Sequence, residues 1–393
     1  MAFELKEMVG NWNYPTSMRF GAGRVAELPN ACRELGIHRP LIVTDGGIAK
    51  LPMVDEILAI QEEGGVASGL FYEVAGNPDG SHVAAGVAAL RERDHDGVVA
   101  LGGGSALDVG KAVALMAHQT LPLWDFEDVG DNWKRVDESG MVPVVALPTT
   151  SGTGSEVGRC SVIVNAAEHR KTLIFHPGMM PEKVICDPVL SAGLPKHLTA
   201  AVGMDALSHN LEAFCAPGFH PMADGIALEG MRLVRNHLTD AVEDGLNLVA
   251  RSGMMLASTM GATAFQKGLG AMHAMSHPIG GVVGAHHGLT NAVVMPYVLQ
   301  FNRDVIAEKM DILAAYLTLP GSGFSAVMDW VLGLREELGI PHTLRDLPVT
   351  EEQIPRLAKM AVVDPTAGGN PIQGSVGDYE KLFTAALEGR LLR

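Results

Sequence analysis

Short apolar runs alternate with helix-length segments through the first half of the chain. Leu41–Asp45, Leu70–Val74, Gly97–Leu101 and Val142–Leu147 read as strands. Between them, helical patterns run from about Leu51 to Glu63, from Ser81 to Arg93, and from the glycines after Leu101 to about His118. This β-α-β-α rhythm predicts a mainly parallel sheet. Three further β-rich runs follow, at Cys160–Val164, Lys171–Phe175 and Lys183–Cys186. From about Leu190 the strand signals nearly vanish, and Ala-, Leu- and Met-rich stretches with helical spacing take over. Asp187-Pro188 is the natural seam, because a proline restricts its predecessor and ends regular structure. The pattern therefore predicts an α/β domain over residues 1–189 and an all-helical domain over residues 190–393.

A length of 393 residues agrees with that division, at roughly 150 residues per domain. The chain is 47% apolar and 19% charged, enough apolar residue for sizeable cores, which excludes a disordered chain. A net charge of −16 argues against nucleic-acid or anionic-membrane partners. Met1–Pro15, with Glu4, Lys6 and Glu7, lacks the apolar run of a signal peptide. The four cysteines are scattered singly, so neither a disulfide framework nor a thiolate zinc site is expected, and a cytoplasmic protein is. Residues 268–302 hold no Asp, Glu, Lys or Arg but four histidines, six glycines and two prolines. That composition reads as buried helices around a site rather than a lipid-facing helix.

Two loops carry candidate nucleotide chemistry. Gly102-Gly103-Gly104-Ser105 follows a buried strand and opens a helix, where backbone N–H groups and the helix dipole favour a phosphate. It is neither a P-loop, since Ser105 and Ala112 stand where Gly and Ser/Thr are needed, nor GxGxxG, since Leu107 takes the third glycine position. Ser105 and Asp108 have capping-box spacing, so a helix start is the main role expected of Asp108. Thr149-Thr150-Ser151-Gly152-Thr153-Gly154-Ser155 follows another strand; it suits a pyrophosphate or nicotinamide, and equally an ordinary turn. Asp45, ending the first strand, suits an adenosine ribose and would repel a 2′-phosphate, which predicts NAD(H) over NADP(H); its alternative is a turn residue before Gly46-Gly47.

Asp205 and His209 lie four apart in a helical segment and so share a face. His273 and His277 repeat that spacing within the charge-free stretch, and His286-His287 follow. Four histidines within fifteen residues, with no charged neighbour in sequence, are hard to satisfy as core residues. A divalent cation would satisfy them: neutral imidazoles with one carboxylate suit iron(II) or zinc. Spacing leaves open which of His277, His286 and His287 joins His273.

Together these motifs resemble the iron-containing (group III) alcohol dehydrogenase family over nearly the whole chain. The resemblance runs from Phe20-Gly-Ala-Gly23 through Gly102–Lys111, Pro148–Glu156, Asp187-Pro188, Gly203–His209 and Gly268–Pro278 to His287-Gly288. It implies a Rossmann-like N-terminal domain and a helical metal-binding domain, the architecture of dehydroquinate synthase. It also implies metal ligation by Asp205, His209, His273 and His287, with His277 lining the site, and His286 where many relatives have proline. Cofactor contacts carry over to Asp45, Asn77, Gly103, Gly104, Ser105, Thr149, Thr150, Thr153 and Lys171, and a homo-oligomer, a dimer foremost, is implied.

The expected reaction is hydride transfer between a small neutral alcohol and NAD, with Fe(2+), or Zn(2+), as Lewis acid on the alcohol oxygen. His277 is expected to relay the proton or, as its alternative, to orient the metal ligands. Phe265 either lines the substrate pocket or belongs to the core. The rival readings are an NAD- and metal-using lyase or cyclase of the dehydroquinate synthase type and a maleylacetate reductase-like activity. Lys171 and Lys267 would favour the phosphorylated substrate that the lyase reading requires. A non-enzymatic nucleotide-binding module explains the ligand cluster poorly.

Overall fold

The computed structural model describes residues 10–12, 16–168 and 170–391, so the reading of Met1–Pro15 lies, apart from Gly10–Trp12, outside the described residues. The chain divides into two compact units. The first runs to residue 192 except for residues 151–153, which group with residues 193–393 in the second.

In the first unit, β1 (Gly10–Trp12), β2 (Ser17–Phe20) and α1 (Leu28–Glu34) precede the predicted alternation. That alternation is β3 (Pro40–Asp45), α2 (Pro52–Glu63), β4 (Gly69–Val74), α3 (Gly80–Glu92), β5 (Gly97–Gly102), α4 (Gly104–Met116) and β6 (Val144–Pro148). The remaining strands are β7 (Cys160–Asn165), β8 (Arg170–Phe175) and β9 (Lys183–Cys186). The main sheet has the order β1-β2-β9-β6-β5-β3-β4, with six parallel strands and β1 antiparallel at one edge. All six positions of β5 are buried, as a strand covered on both faces requires. β7 and β8 pair antiparallel in a separate ribbon, and β7 alternates buried with half-buried positions because only one of its faces is covered. β2 escapes the apolar pattern because Ser17 and Arg19 interrupt it.

The proposed seam residue is structural. Asp187 is fully buried, and its carboxylate accepts from the backbone N–H groups of Gly23 (3.1 Å), Val25 (2.9 Å) and Val189 (3.0 Å). It thereby caps the short turn Pro188–Ser191 that ends the first unit.

The second unit is helical: α5 (Lys196–Cys215), α6 (Pro221–Glu243), α7 (Leu248–Ala264), α8 (Ala271–Val283), α9 (His287–Tyr316), α10 (Gly323–Glu337), α11 (Ile354–Ala361) and α12 (Val376–Glu388). α5 is buried nearly all round, the mark of a central helix. Its apolar residues share one core with those of α6 to α12. Asp364–Gly374 is ordered, since Asp364 caps the turn Pro365–Gly369 by accepting from the Thr366 N–H at 2.9 Å. No described helix is long and apolar enough to cross a membrane.

Candidate active site

Helical periodicity puts Asp205 and His209 one turn apart on α5, with His273 in the first turn of α8 and His287 opening α9. The fold gathers all four: one ligand atom from each lies within 4.8 Å of the others. Asp205, His209 and His273 are buried and His287 is half-buried. The His209 and His273 rings stack with centroids 4.7 Å apart, and those of His273 and His287 are 5.2 Å apart.

Each imidazole is held through Nδ1. His209 Nδ1 donates to the Gly152 carbonyl at 3.1 Å, and His273 Nδ1 donates to Glu212 Oε2 at 2.6 Å. His287 Nδ1 is 3.3 Å from Ser276 Oγ. A histidine bonded through Nδ1 to an acceptor is in the tautomer whose Nε2 lone pair is free to ligate. Burial pushes His209 down to about 4, with Asp205 pulling the other way, so it is neutral, as a ligand must be. For His273 burial also acts downward, but the Glu212 charge and hydrogen bond, with Asp205 and Asp364, hold it above the ordinary histidine value. Three imidazoles and a carboxylate, with no thiolate among them, form a donor set that suits Fe(II) or Zn(II).

His277 lies outside the donor group but beside it, its ring stacked on His287 at 5.3 Å. Its Nδ1 bonds Asp364 Oδ2 at 2.9 Å. The choice between neighbours falls to His287: His286 is the N-cap of α9, its Nδ1 accepting from the Leu289 N–H at 3.4 Å. The Phe265 ring lies 5.3 Å from that of His209 and also packs on the helical core. Lys267 is committed to the Asp224 carboxylate and the Phe214 carbonyl.

In the first unit the glycine loop lies beside the threonine loop. The Thr149 N–H donates to the Gly102 carbonyl at 3.0 Å, and a Cβ placed on Gly103 would approach Thr150 Oγ1 and Cγ2 to 3.2 Å. Gly103 is the N-cap of α4, with Gly104 and Ser105 in its first turn and no side-chain capping bond. The capping role expected of Asp108 is therefore a correction. Asp108 takes the Ser155 hydroxyl at 2.5 Å and the Val162 N–H at 2.9 Å, and pairs with Lys111 at 3.2 Å. Lying in the second turn, it faces the threonine loop and β7 rather than the helix start. Lys111, 1% exposed, also donates to the carbonyls of Ser155 (3.0 Å) and Cys160 (2.5 Å).

Asp45 Oδ1 accepts from the N–H groups of Gly47 (2.8 Å) and Ile48 (3.0 Å), the turn role weighed for it. Asn77 is exposed and left-handed, with φ 52°. The Pro78-Asp79 segment after it meets Val164 of β7, which pairs with Lys171 of β8, so Asn77 and Lys171 come to one neighbourhood. Thr153 belongs to the second unit, in the same short segment as Gly152.

Sequence reasoning missed Glu212, Asn291 and Asp364. The first two carried a signal: Glu212 follows His209 by three and Asn291 follows His287 by four, which on a helix is the same face. Asp364 is 87 residues from His277 and had none.

Comparison with known proteins agrees with this architecture. Residues 15–188 match the model of the iron-containing alcohol dehydrogenase family, and residues 199–387 match that family's C-terminal domain. The chain is 38% identical over 384 residues to a 4-hydroxybutyrate dehydrogenase of Cupriavidus necator, covering 95% of this chain and 99% of that protein. It is 34% identical over 384 residues to an NAD-dependent methanol dehydrogenase of Bacillus methanolicus, covering 96% and 100%. Among solved structures it resembles a 1,3-propanediol oxidoreductase with a TM-score of 0.90 at 34% identity, covering 94% and 97%. These likenesses run to dehydrogenases, and with Lys267 spent on Asp224 the lyase reading is not favoured. The chain therefore belongs to the iron-containing alcohol dehydrogenase family and is an NAD-dependent, metal-using alcohol oxidoreductase.

Proposed function

We propose that the chain interconverts a small neutral primary or secondary alcohol with its aldehyde or ketone, with Fe(II) held by Asp205, His209, His273 and His287. The observation that carries this reading is the convergence of those four donors, each imidazole turned by its own Nδ1 partner. The residues fit the cation by their chemistry: three imidazole nitrogens and one carboxylate, gathered with His287 half-buried and the other three buried. A divalent cation held by these four residues would supply Lewis acidity toward an alcohol oxygen, and bound NAD⁺ would supply the hydride acceptor.

The chain's own residues orient and move the proton. With Nδ1–H donated to Asp364, His277 presents Nε2 as an acceptor, and its partly exposed ring offers the proton a way to solvent. Gly103, Gly104 and Ser105 would meet the pyrophosphate at the start of α4, with Thr149 and Thr150 beside it, and Thr153 is a further cofactor contact implied by the family. Asp45 would accept from the adenosine ribose, favouring NAD over NADP, and Asn77 and Lys171 would complete the cofactor contacts. The preference for a neutral substrate is supported by the absence of Lys and Arg from residues 268–302 and by the engagement of Lys267. The four free cysteines support a cytoplasmic protein, and membership of the family supports a homo-oligomer, a dimer foremost.

The test is NADH formation by metal-stripped protein reconstituted with defined Fe(II) or Zn(II), across short alcohols, diols and hydroxy acids. Activity is expected to disappear on stripping, return with metal, favour the neutral substrates and collapse in His277→Ala. Full activity without metal would overturn the reading, and an unchanged pH profile in His277→Ala would remove the relay.

A further inference from the structure

Asn291 lies one helical turn beyond His287 on α9 and is fully buried. Its Nδ2 faces three acceptors: Asp205 Oδ1 at 2.9 Å, His273 Nε2 at 3.2 Å and His287 Nε2 at 3.2 Å. An amide nitrogen carries two hydrogens and so cannot serve three acceptors at once. Its Oδ1 is buried and meets no donor. As packing alone this is a poor choice, because buried polar groups are ordinarily satisfied and an apolar residue would fill the position.

The arrangement makes sense when the two imidazole lone pairs belong to a cation, since Asp205, the nearest of the three, is then the acceptor left to the amide. The rest of the donor set follows the same rule. His209 is fixed by the Gly152 carbonyl, His273 by Glu212 and His287 by Ser276. Asp205 draws its partner from Asn291. We propose that Asn291 is a positioning residue of the metal site, donating from Nδ2 to Asp205 Oδ1 and so fixing the rotation of that carboxylate against the three imidazoles. The inference rests on the metal reading above.

The readout is cation affinity rather than turnover. Metal-stripped wild-type protein, Asn291→Ala and Asn291→Leu are titrated with Co(II), followed by calorimetry and by the visible absorption of the bound ion. The leucine variant keeps the side-chain volume, so a packing failure of the alanine variant alone does not decide the matter. Loss of an outer partner of this kind costs about 10–100-fold in metal affinity, and that loss is expected in both variants, with an altered Co(II) spectrum. Because the effect passes through Asp205, Asn291→Ala added to Asp205→Ala should weaken binding by no more than about twofold further. Affinities of both Asn291 variants within about twofold of wild type would overturn the proposal, and so would a full additional loss in the Asp205→Ala background. Failure of the wild-type chain to bind Co(II) would instead overturn the metal reading, and this inference with it.

Discussion

Burial disfavours a protonated imidazole unless a carboxylate offsets it, as Glu212 does for His273, and the effect is seen in unrelated places at His209 and His176. His209 is held neutral, at about 4, by burial in the Asp205, His209, His273 and His287 cluster. His176, 3% exposed, is held neutral in the first unit, where its Nδ1 accepts from the Gly178 N–H at 3.0 Å and caps the turn Pro177–Met179. Burial pushes His176 below its ordinary 6.5, against a weaker upward pull from Glu138. On acidification below 6.5 the unfolded chain takes up a proton that the folded chain refuses, so stability falls from 6.5 down to the folded value and then levels. The slope is at most about 1.4 kcal/mol per pH unit. His176→Asn keeps an acceptor for the cap and cannot be protonated. Urea unfolding across acidic pH should therefore show a flatter acid limb in that variant, and an identical limb would remove His176 from the pH dependence.

At the scale of elements, the donor set depends on how closely α9 approaches α5. Gly288 follows His287, and a Cβ there would lie 2.4 Å from the Ala201 carbonyl oxygen and 2.9 Å from Asp205 Cβ. Backbone cannot yield as a flexible side chain would, so Gly288→Ala must push the start of α9 away from α5. Overpacking of this kind costs about 1–3 kcal/mol, and here it also separates His287 from Asp205. Urea unfolding and Co(II) titration of Gly288→Ala should show both losses together. Wild-type values in both would mean that the contact has slack. In the first unit, Asp108 and Lys111 play the comparable part, pinning the threonine loop against α4.

At the scale of the whole molecule, all four donors come from the second unit, so cation binding is linked to the stability of that unit. A cation at about 100 times its Kd adds about 2.7 kcal/mol to the folded state when the unfolded chain does not bind it. Scanning calorimetry should show a transition that rises with added Fe(II) or Co(II), falls with chelator, and does not respond in Asp205→Ala. A metal-independent transition in the wild type would break the link. Much of the architecture was legible beforehand. The alternating runs of the first half became β3 to β6 with their helices: β3, β5 and β6, buried on both faces, leave uninterrupted apolar runs, while β4 at the sheet edge exposes Tyr72 and Glu73. The role of Asp108 was misread, because its spacing from Ser105 imitates a cap while its side chain answers a loop 47 residues away.

The sequence by itself determined the α/β and helical halves, the pairing of Asp205 with His209 on one face, and the removal of charge from residues 268–302. These follow from local periodicity and composition, which act between residues a few positions apart. The residue spacing left His286 and His287 open and the family resemblance implied His287; the tertiary structure brings His287 rather than His286 into the group of four, since that depends on where α9 begins and on its approach to α5 at Gly288. It also decided the partners that turn each donor, with Glu212, Asn291 and the Gly152 carbonyl reaching them from 61, 86 and 57 residues away. Which group bonds which over such separations is set by the packing of whole helices; the local pattern puts Glu212 and Asn291 on the faces of His209 and His287 but does not name their partners.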